Sequence, residues 1–397
     1  MLTYPLEALS LFPATQEQVS VSRKCTAAQW NRGKTVGQYV QRDVIMDEHE
    51  HAVHDRLITW VLAPRDDPST LDFMCSCETF RRDSIVIQSS SGAEDNRAED
   101  VIGYGIASVY TPPSKRKHGY ASRMMSLLHW VLAPHSALPP FPPSWGTPPA
   151  PAPSTGNARF SVLYSDVGSD FYNACGPDET PRSGWVVRGA EHTIWKVEQD
   201  GQSAADDNMW KWLRKNETVA LYNEDTRFIK GEAASRLKDG VGFTFLPDKG
   251  VGLFNINRTM EFDGDSLTPN LRCEHWGVVR EGTEDTLAST FATWTPDVRD
   301  NGLGLVITRL RVDRAGLAPL VGRLREAAHT IGAQTVEVWN LVDTLKEEAA
   351  RTGGVTEVRH EHLPAFKWYG KESEEQVHWL YNEKWVTSLY HILWGIT

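Results

Sequence analysis

The sequence is poor in the features that mark disulfide-knit, zinc-structured, nucleic-acid-binding or membrane-spanning chains. It has five cysteines, at positions 25, 75, 77, 175 and 273. Their number is odd and no two are spaced Cys-x-x-Cys, so neither a disulfide framework nor a zinc site is indicated, and a reducing compartment fits. Positive charge is in deficit, with 41 Lys and Arg against 52 Asp and Glu, a net charge of −11. A basic surface for nucleic acid or an anionic membrane is therefore not expected. No apolar run reaches spanning length, and Met1 to Lys24 lacks a basic start followed by an apolar core. A cytoplasmic location is expected.

What the chain does have is globular composition: 397 residues, 40% hydrophobic and 23% charged, enough for two ordinary domains. One stretch, Val101 to Met125, organises the rest. Val101, Ile106 and Val109 with their Tyr neighbours read as a buried strand, which Pro112-Pro113 ends because proline cannot donate to the ladder. From Gly119 the period changes, and Ala121, Met124, Met125 and Leu128 fall on one helical face. The turn from Arg116 to Ala121 thus sits at a helix N-terminus, where unpaired N–H groups and the helix dipole make a site for an anion such as phosphate. Lys115, Arg116, Lys117 and His118 cluster there in an otherwise acidic chain.

Around it the sequence predicts strands at Leu57 to Ala63, Leu71 to Phe80 and Ile85 to Gln88, followed by a polar, acidic loop to Asp100. Glu78 lies inside an otherwise apolar strand, where an unpaired charge is costly, so it is a candidate functional carboxylate. His49, His51 and His54 invite a metal reading, but their spacing is not the i, i+4 pair of a zinc helix, and no metal is expected. Pro134 to Pro153 carries nine prolines and reads as an extended or disordered loop, an insertion over 134–157. A strand, Phe160 to Tyr164, and a short helix holding Tyr172 and closed by Gly176 come next, then two final strands, Trp185 to Arg188 and His192 to Val197.

This order of strand, Arg116-x-x-Gly119-x-Ala121 turn, helix, strand and Tyr-bearing helix resembles the GNAT superfamily of acetyl-CoA-dependent N-acetyltransferases. More narrowly, Val109-Tyr110-Thr111-Pro112-Pro113, Ser76-Cys77-Glu78-Thr79, Leu163 to Gly168, Phe366 to Gly370 and Asn382-Glu383-Lys384-Trp385 resemble the fungal lysine N-acetyltransferase family, whose members acetylate the ε-amine of free lysine. The resemblance implies an α+β fold with a central mixed sheet flanked by helices, and acetyl-CoA as cosubstrate. It implies that the backbone of Arg116, Lys117, His118, Gly119, Tyr120, Ala121 and Ser122 holds the pyrophosphate. Val109 and Thr111 would bond the pantetheine and acetyl carbonyl, with Ser165 near the pantetheine arm. Tyr172 would protonate the departing thiolate. An amine of pKa about 10.4 must lose a proton before attack. Glu78 is the expected base, with Asp166 second.

The second half repeats the element order. After a linker with helical pieces, 199–239, strand signals return at Val241 to Leu246, Gly252 to Ile256, Glu274 to Val279, Ala288 to Trp294 and Val306 to Val312. A helix with Leu317, Leu320, Val321 and Leu324 on one face follows. At its start Asp313-x-x-Gly316-x-Ala318 replaces Arg116-x-x-Gly119-x-Ala121, a reversal of charge that would repel a pyrophosphate, and Ala349 stands where the first half has Tyr172. The chain therefore reads as a catalytic domain, 1–198, followed by a degenerate GNAT-like domain, 240–397, that binds no coenzyme and closes the substrate side with Glu274-His275-Trp276, Trp294 and Trp368-Tyr369. The function expected is acetylation of a small amine, L-lysine first. The rivals are a polyamine or amino sugar, a protein lysine, or a silent coenzyme-binding module.

Overall fold

In the computed structural model the chain is described over residues 4–31, 34–88, 98–198, 209–237, 239–262, 273–280, 290–299 and 302–384. Most of the acidic loop expected after Gln88, the first ten residues of the expected linker, Ala288 and Trp385 lie outside the described residues.

Two mixed sheets share one topology. The first runs β1 (Leu9–Pro13), β2 (Leu57–Pro64), β3 (Cys75–Gln88), β4 (Ala98–Tyr110), β5 (Ala158–Ser165), then β15 (Leu363–Trp368) and β6 (Val186–Val187). The second runs β8 (Trp210–Leu213), β10 (Gly277–Arg280), β11 (Phe291–Arg299), β12 (Gly302–Arg311), β13 (Thr335–Trp339), then β7 (Glu191–Lys196) and β14 (Gly354–Val358). Along each of these orders one parallel pair, β4 with β5 and β12 with β13, interrupts antiparallel neighbours. A helix crosses over in each parallel pair, α3 (Tyr120–Leu132) in the first and α7 (Arg314–Thr330) in the second, as parallel pairing requires.

The sixth strand of each sheet comes from the other half. β7, expected to finish the first domain, instead pairs with β13 and β14 in the second sheet. β15, from near the C-terminus, takes the matching place between β5 and β6. Each half thus gives a strand to its neighbour's sheet. The boundary at 198 falls just past a strand that belongs to the other sheet. Two further strands from the second half, β9 (Val241–Phe245) and β16 (Val377–Trp379), extend the first sheet along the far end of β3.

Two other expectations change. The proline-rich segment is ordered and packed, with Phe141 edge-on to Trp130 at 4.8 Å and Trp145 and Ala152 in the first hydrophobic core. Its aromatics supply apolar area that the proline count hides. They also explain why α3 is buried nearly all round, beyond the single face read from its period. The described part of the expected linker is β8 and a 22-residue helix, α5 (Lys215–Arg236), which buries Leu221, Tyr222, Ile229 and Ala233. Helices α1 (Gln16–Trp30) and α2 (Val36–Asp47) each start on a threonine capping box, Thr15 with Gln18 and Thr35 with Gln38.

Candidate active site

The cleft begins where β4 and β5 part. Their parallel pairing ends at Gly105 opposite Val162, yet β4 runs on to Tyr110 and β5 to Ser165, where β15 is already its partner. The β5-facing backbone of β4 beyond Gly105, including Val109, is therefore unpaired by β5 and open to a ligand that bonds like a strand. On the other side, β4 carries a bulge against β3 between Ser76 and Glu78, with Ser108 at φ 54°. Bulges re-aim side chains, and here the Ser108 hydroxyl donates to Glu78 Oε2 at 2.6 Å.

Glu78 faces a pocket between β3, β4, α1 and α2. Burial pushes its carboxyl up from the ordinary range; Arg23 nearby pulls it down, and Asp43 and Asp47 push it up again. A carboxylate held in this way is a better proton acceptor than an exposed one. Ser22 on α1 bonds Ser76 at 2.8 Å, and Arg23 donates to Asp47 at 2.7 Å, which fixes the pocket wall.

At the end of β4 the chain turns into α3 through two left-handed residues, Lys117 at φ 67° and Gly119 at φ 76°. Gly119 is the N-cap and no side chain caps the helix, so the N–H groups of its first turn stay available to an anion. The positive cluster divides. The Lys115 ammonium is buried and donates to the Phe73 carbonyl at 2.8 Å and to Asp72, holding the preceding loop. Arg116 donates from Nε to the Thr111 carbonyl at 3.1 Å, while Lys117 and His118 remain exposed. Tyr120 and Ala121 are buried and Ser122 is exposed.

Tyr172 sits in the one-turn helix α4 (Asp170–Asn173), 6% exposed, in the same core as Cys77. Glu78 follows Cys77 on β3 and so points to the opposite face. Burial, with Asp166, Cys175 and Cys77 nearby, pushes the phenol far above its ordinary pKa, so it stays protonated and has a proton to give. Its carbonyl accepts from Trp185 N at 3.1 Å, and a Cβ on Gly184 would lie 2.1 Å from that carbonyl oxygen, so only glycine fits behind it. Ser165 is buried, and its hydroxyl donates to the Gly168 carbonyl at 2.5 Å, closing its own turn. Asp166 is likewise engaged, accepting at 2.8 Å from both the backbone N–H and the ring of His362, which ties β5 to the loop before β15.

The chain has matches among known proteins. Residues 193–387 match the family model described as LYC1 GNAT-like C-terminal domain. A protein named lysine acetyltransferase from Yarrowia lipolytica is 25% identical over 194 residues, covering 47% of this chain and 42% of its own length. In that match, therefore, the chain spans less than half of this relative. Two solved structures share the fold over 91% of this chain: a GCN5-related N-acetyltransferase from Anabaena variabilis, 12% identical over 73% of its length at a TM-score of 0.51, and a probable N-acyltransferase from Enterococcus faecalis, 7% identical over 72% at 0.52.

The chain has the fold of the GNAT N-acetyltransferases, and its C-terminal half matches a GNAT-like family model.

The two sheets differ at the start of the crossover helix and at the bulge. In the second, Asp313 is the N-cap of α7 and its Oδ1 accepts from Gly316 N at 2.7 Å, so a built-in carboxylate occupies the place of an outside anion. That sheet keeps a bulge at Thr308, but its hydroxyl meets the Thr293 hydroxyl at 2.9 Å, where the first sheet has Ser108 against Glu78. Ala349 lies buried on α8 (Asp343–Arg351). The aromatic groups expected to close the substrate side are elsewhere. Tyr369 bonds His129 at 2.8 Å and Ser161 at 3.0 Å inside the first core, with Trp368 beside it, and Trp276 and Trp294 are core residues of the second half. Glu274, His275, Trp294 and Trp212 line a separate cleft in the second half.

The second half reaches the Glu78 pocket with a helix that the sequence reading missed. Residues Gly252 to Ile256, expected as a strand, lead into and begin α6 (Phe254–Phe262), whose Phe254 and Arg258 line the pocket. Phe254 stacks edge-on against Phe80 at 5.9 Å and His51 at 4.8 Å. Burial, with Arg82 and His49 adding, lowers the His51 pKa to about 3, so it is a neutral wall residue. Among the described residues no group of three or more His, Cys, Asp or Glu is placed to hold a metal, and no helix is long and apolar enough to cross a membrane.

Proposed function

We propose that the protein transfers the acetyl group of acetyl-CoA to the ε-amine of free L-lysine, by direct attack within a ternary complex. The observation that carries this reading is the meeting of three features on β3–β4–α3: the open β4 edge, the uncapped N-terminus of α3, and the buried Glu78 at the bulge. The α3 turn, from Arg116 to Ser122, binds the pyrophosphate through its backbone. The β4 edge at Val109 and Thr111 holds the pantetheine and orients the thioester. The Ser165 hydroxyl is used within its own turn, so the pantetheine contact near it falls to neighbouring backbone. Lysine as acceptor is supported by the name of the Yarrowia relative and by a pocket that carries both guanidinium and carboxylate groups.

Glu78 takes the proton that the ε-ammonium must lose, and its carboxylate then releases it to solvent. The neutral nitrogen attacks the thioester carbon, a C–N bond forms and the C–S bond breaks. Tyr172 gives its proton to the leaving thiolate and regains one as the new amide sheds its second proton. The second half is a degenerate GNAT-like copy that binds no coenzyme, because Asp313 already fills the anion position of its helix.

An acetylation assay over lysine, ornithine, spermidine and a lysine-containing peptide tests the reading. Free lysine is expected to give the highest kcat/KM, and a preference for the peptide or for spermidine would replace lysine as the acceptor. Tyr172→Phe is expected to lower kcat by about 10- to 1000-fold with little change in acetyl-CoA affinity, and an unchanged kcat would remove it as the acid. Glu78 must be ionised to accept a proton, so wild-type activity falls as the pH drops through its raised pKa. In Glu78→Gln that acidic limb should vanish, with kcat reduced about 10²- to 10⁴-fold. A limb that survives in the variant would place the base elsewhere.

A further inference from the structure

The inference rests on the reading above and concerns how its acceptor is chosen. Three guanidinium groups, Arg23, Arg42 and Arg258, and three carboxylates, Asp43, Asp47 and Glu78, line the Glu78 pocket. A pocket for a polyamine needs carboxylates alone, because every ligand charge is positive. Guanidinium groups in the wall match a ligand that also carries a carboxylate, which the planar fork of arginine binds with two hydrogen bonds.

The positions of these groups set a direction. Arg23 belongs to the reacting end, where its charge acts on Glu78 and its NH2 bonds Asp47 at 2.7 Å. Arg42 lies over the Tyr39 ring at 4.3 Å and donates from Nε to Asp43 at 2.8 Å, on the α2 wall. Beside Glu78 the lining includes an apolar group. Phe80 shares the face of Glu78 by strand alternation, and Met46, Phe80, Ala107 and Phe254 form one buried cluster with Leu57 against it. Arg258 follows Phe254 by four residues on α6, so the two share a helix side, with Arg258 about 6 Å further along the axis. It is 6% exposed. The lining thus offers a carboxylate, an apolar belt and a guanidinium, the three kinds of group that suit the ammonium, the methylene chain and the carboxylate of lysine.

We infer that Arg258 binds the acceptor's α-carboxylate. The C-terminal half, which carries α6, then sets acceptor specificity for a reaction performed by groups of the N-terminal half. It distinguishes an ω-amino acid from a plain diamine of the same length.

The test compares lysine with 1,5-diaminopentane, which has the same chain and amine but no carboxylate, in the full-length wild type and in Arg258→Gln. Wild type is expected to favour lysine. Arg258→Gln should raise the KM for lysine about 10- to 100-fold while changing that for 1,5-diaminopentane less than about 3-fold, so the preference collapses. Arg258→Lys should restore part of it. Acetyl-CoA affinity, read by calorimetry, should be unchanged. Equal losses on both amines would make Arg258 a structural residue and overturn the inference. Lysinamide offers a check that needs no variant: wild type should bind it as weakly as 1,5-diaminopentane, and lysine-like KM for the amide would also overturn it. If wild type acetylates lysine and 1,5-diaminopentane equally well, the carboxylate anchor is lost but amine acetylation stands. If it acetylates neither, the functional reading itself fails.

Discussion

Gly119→Glu is expected to abolish acetyl-CoA binding while the rest of the fold stays in place. Two effects combine. The new carboxylate would stand at the first turn of α3 and bond the N–H groups that now await a phosphate, as Asp313 does at the start of α7. It would also repel the pyrophosphate at short range. An L-residue at φ 76° costs about 1–2 kcal/mol, and the nearest atom to a new Cβ is a Leu6 methyl at 3.4 Å, so the loop can accept the change. Gly119→Ala carries the same backbone cost without the charge and is the control. Calorimetry should show a loss of more than about 100-fold in acetyl-CoA affinity for Glu and a much smaller one for Ala. Measurable binding by the Glu variant would move the pyrophosphate away from α3.

A chain ending at residue 198 is expected not to fold. It would lack β15, and with it the only strand between β5 and β6. Phe366 and Ala365 on β15 are fully buried and Trp368 nearly so. Each large apolar side chain removed forfeits about 1.5–3 kcal/mol of burial, a large part of a domain's net stability. The loss of Tyr369 would also leave His129, fully buried and stacked on Trp185, without the hydroxyl at its Nδ1. β7 would remain attached but without β13 or β14 to pair with. Thermal unfolding followed by near-ultraviolet circular dichroism should show no cooperative transition for this chain. A sharp transition near the full-length midpoint would mean that the first sheet closes without its borrowed strand.

Sequence pattern and structure agree most closely where the determinants are local. The change from strand to helix period at Gly119, the proline stop at Pro112-Pro113 and the glycine itself specify the α3 turn, because each acts within a few residues. Glu78 was visible for a similar reason, as a charge where the strand pattern wanted none. Sheet membership is different. Glu191–Lys196 and Leu363–Trp368 have ordinary strand patterns, and nothing in either says which sheet it will join. α6 was missed because Phe254 and Ile256 alternate like a strand, while the residues that reveal its helical side, Phe254 and Arg258, differ in chemistry. In the proline-rich segment the useful signal was Phe141 and Trp145, since a solvated linker has no need of large aromatics. Lys115 counts in the sequence as part of the positive cluster at the turn, yet its ammonium is spent on Asp72 and Phe73.

That last feature also governs how the coenzyme arrives. With Lys115 turned inward and Arg116 half-buried and folded onto the Thr111 carbonyl, Lys117 is the exposed cation of the cluster, on a chain whose total charge is −11. Beyond a Debye length of about 8–10 Å so small a patch of positive charge is largely screened. A turn that grips a pyrophosphate as proposed would do so mainly through backbone dipoles whose reach is a few ångströms, so it would act on contact.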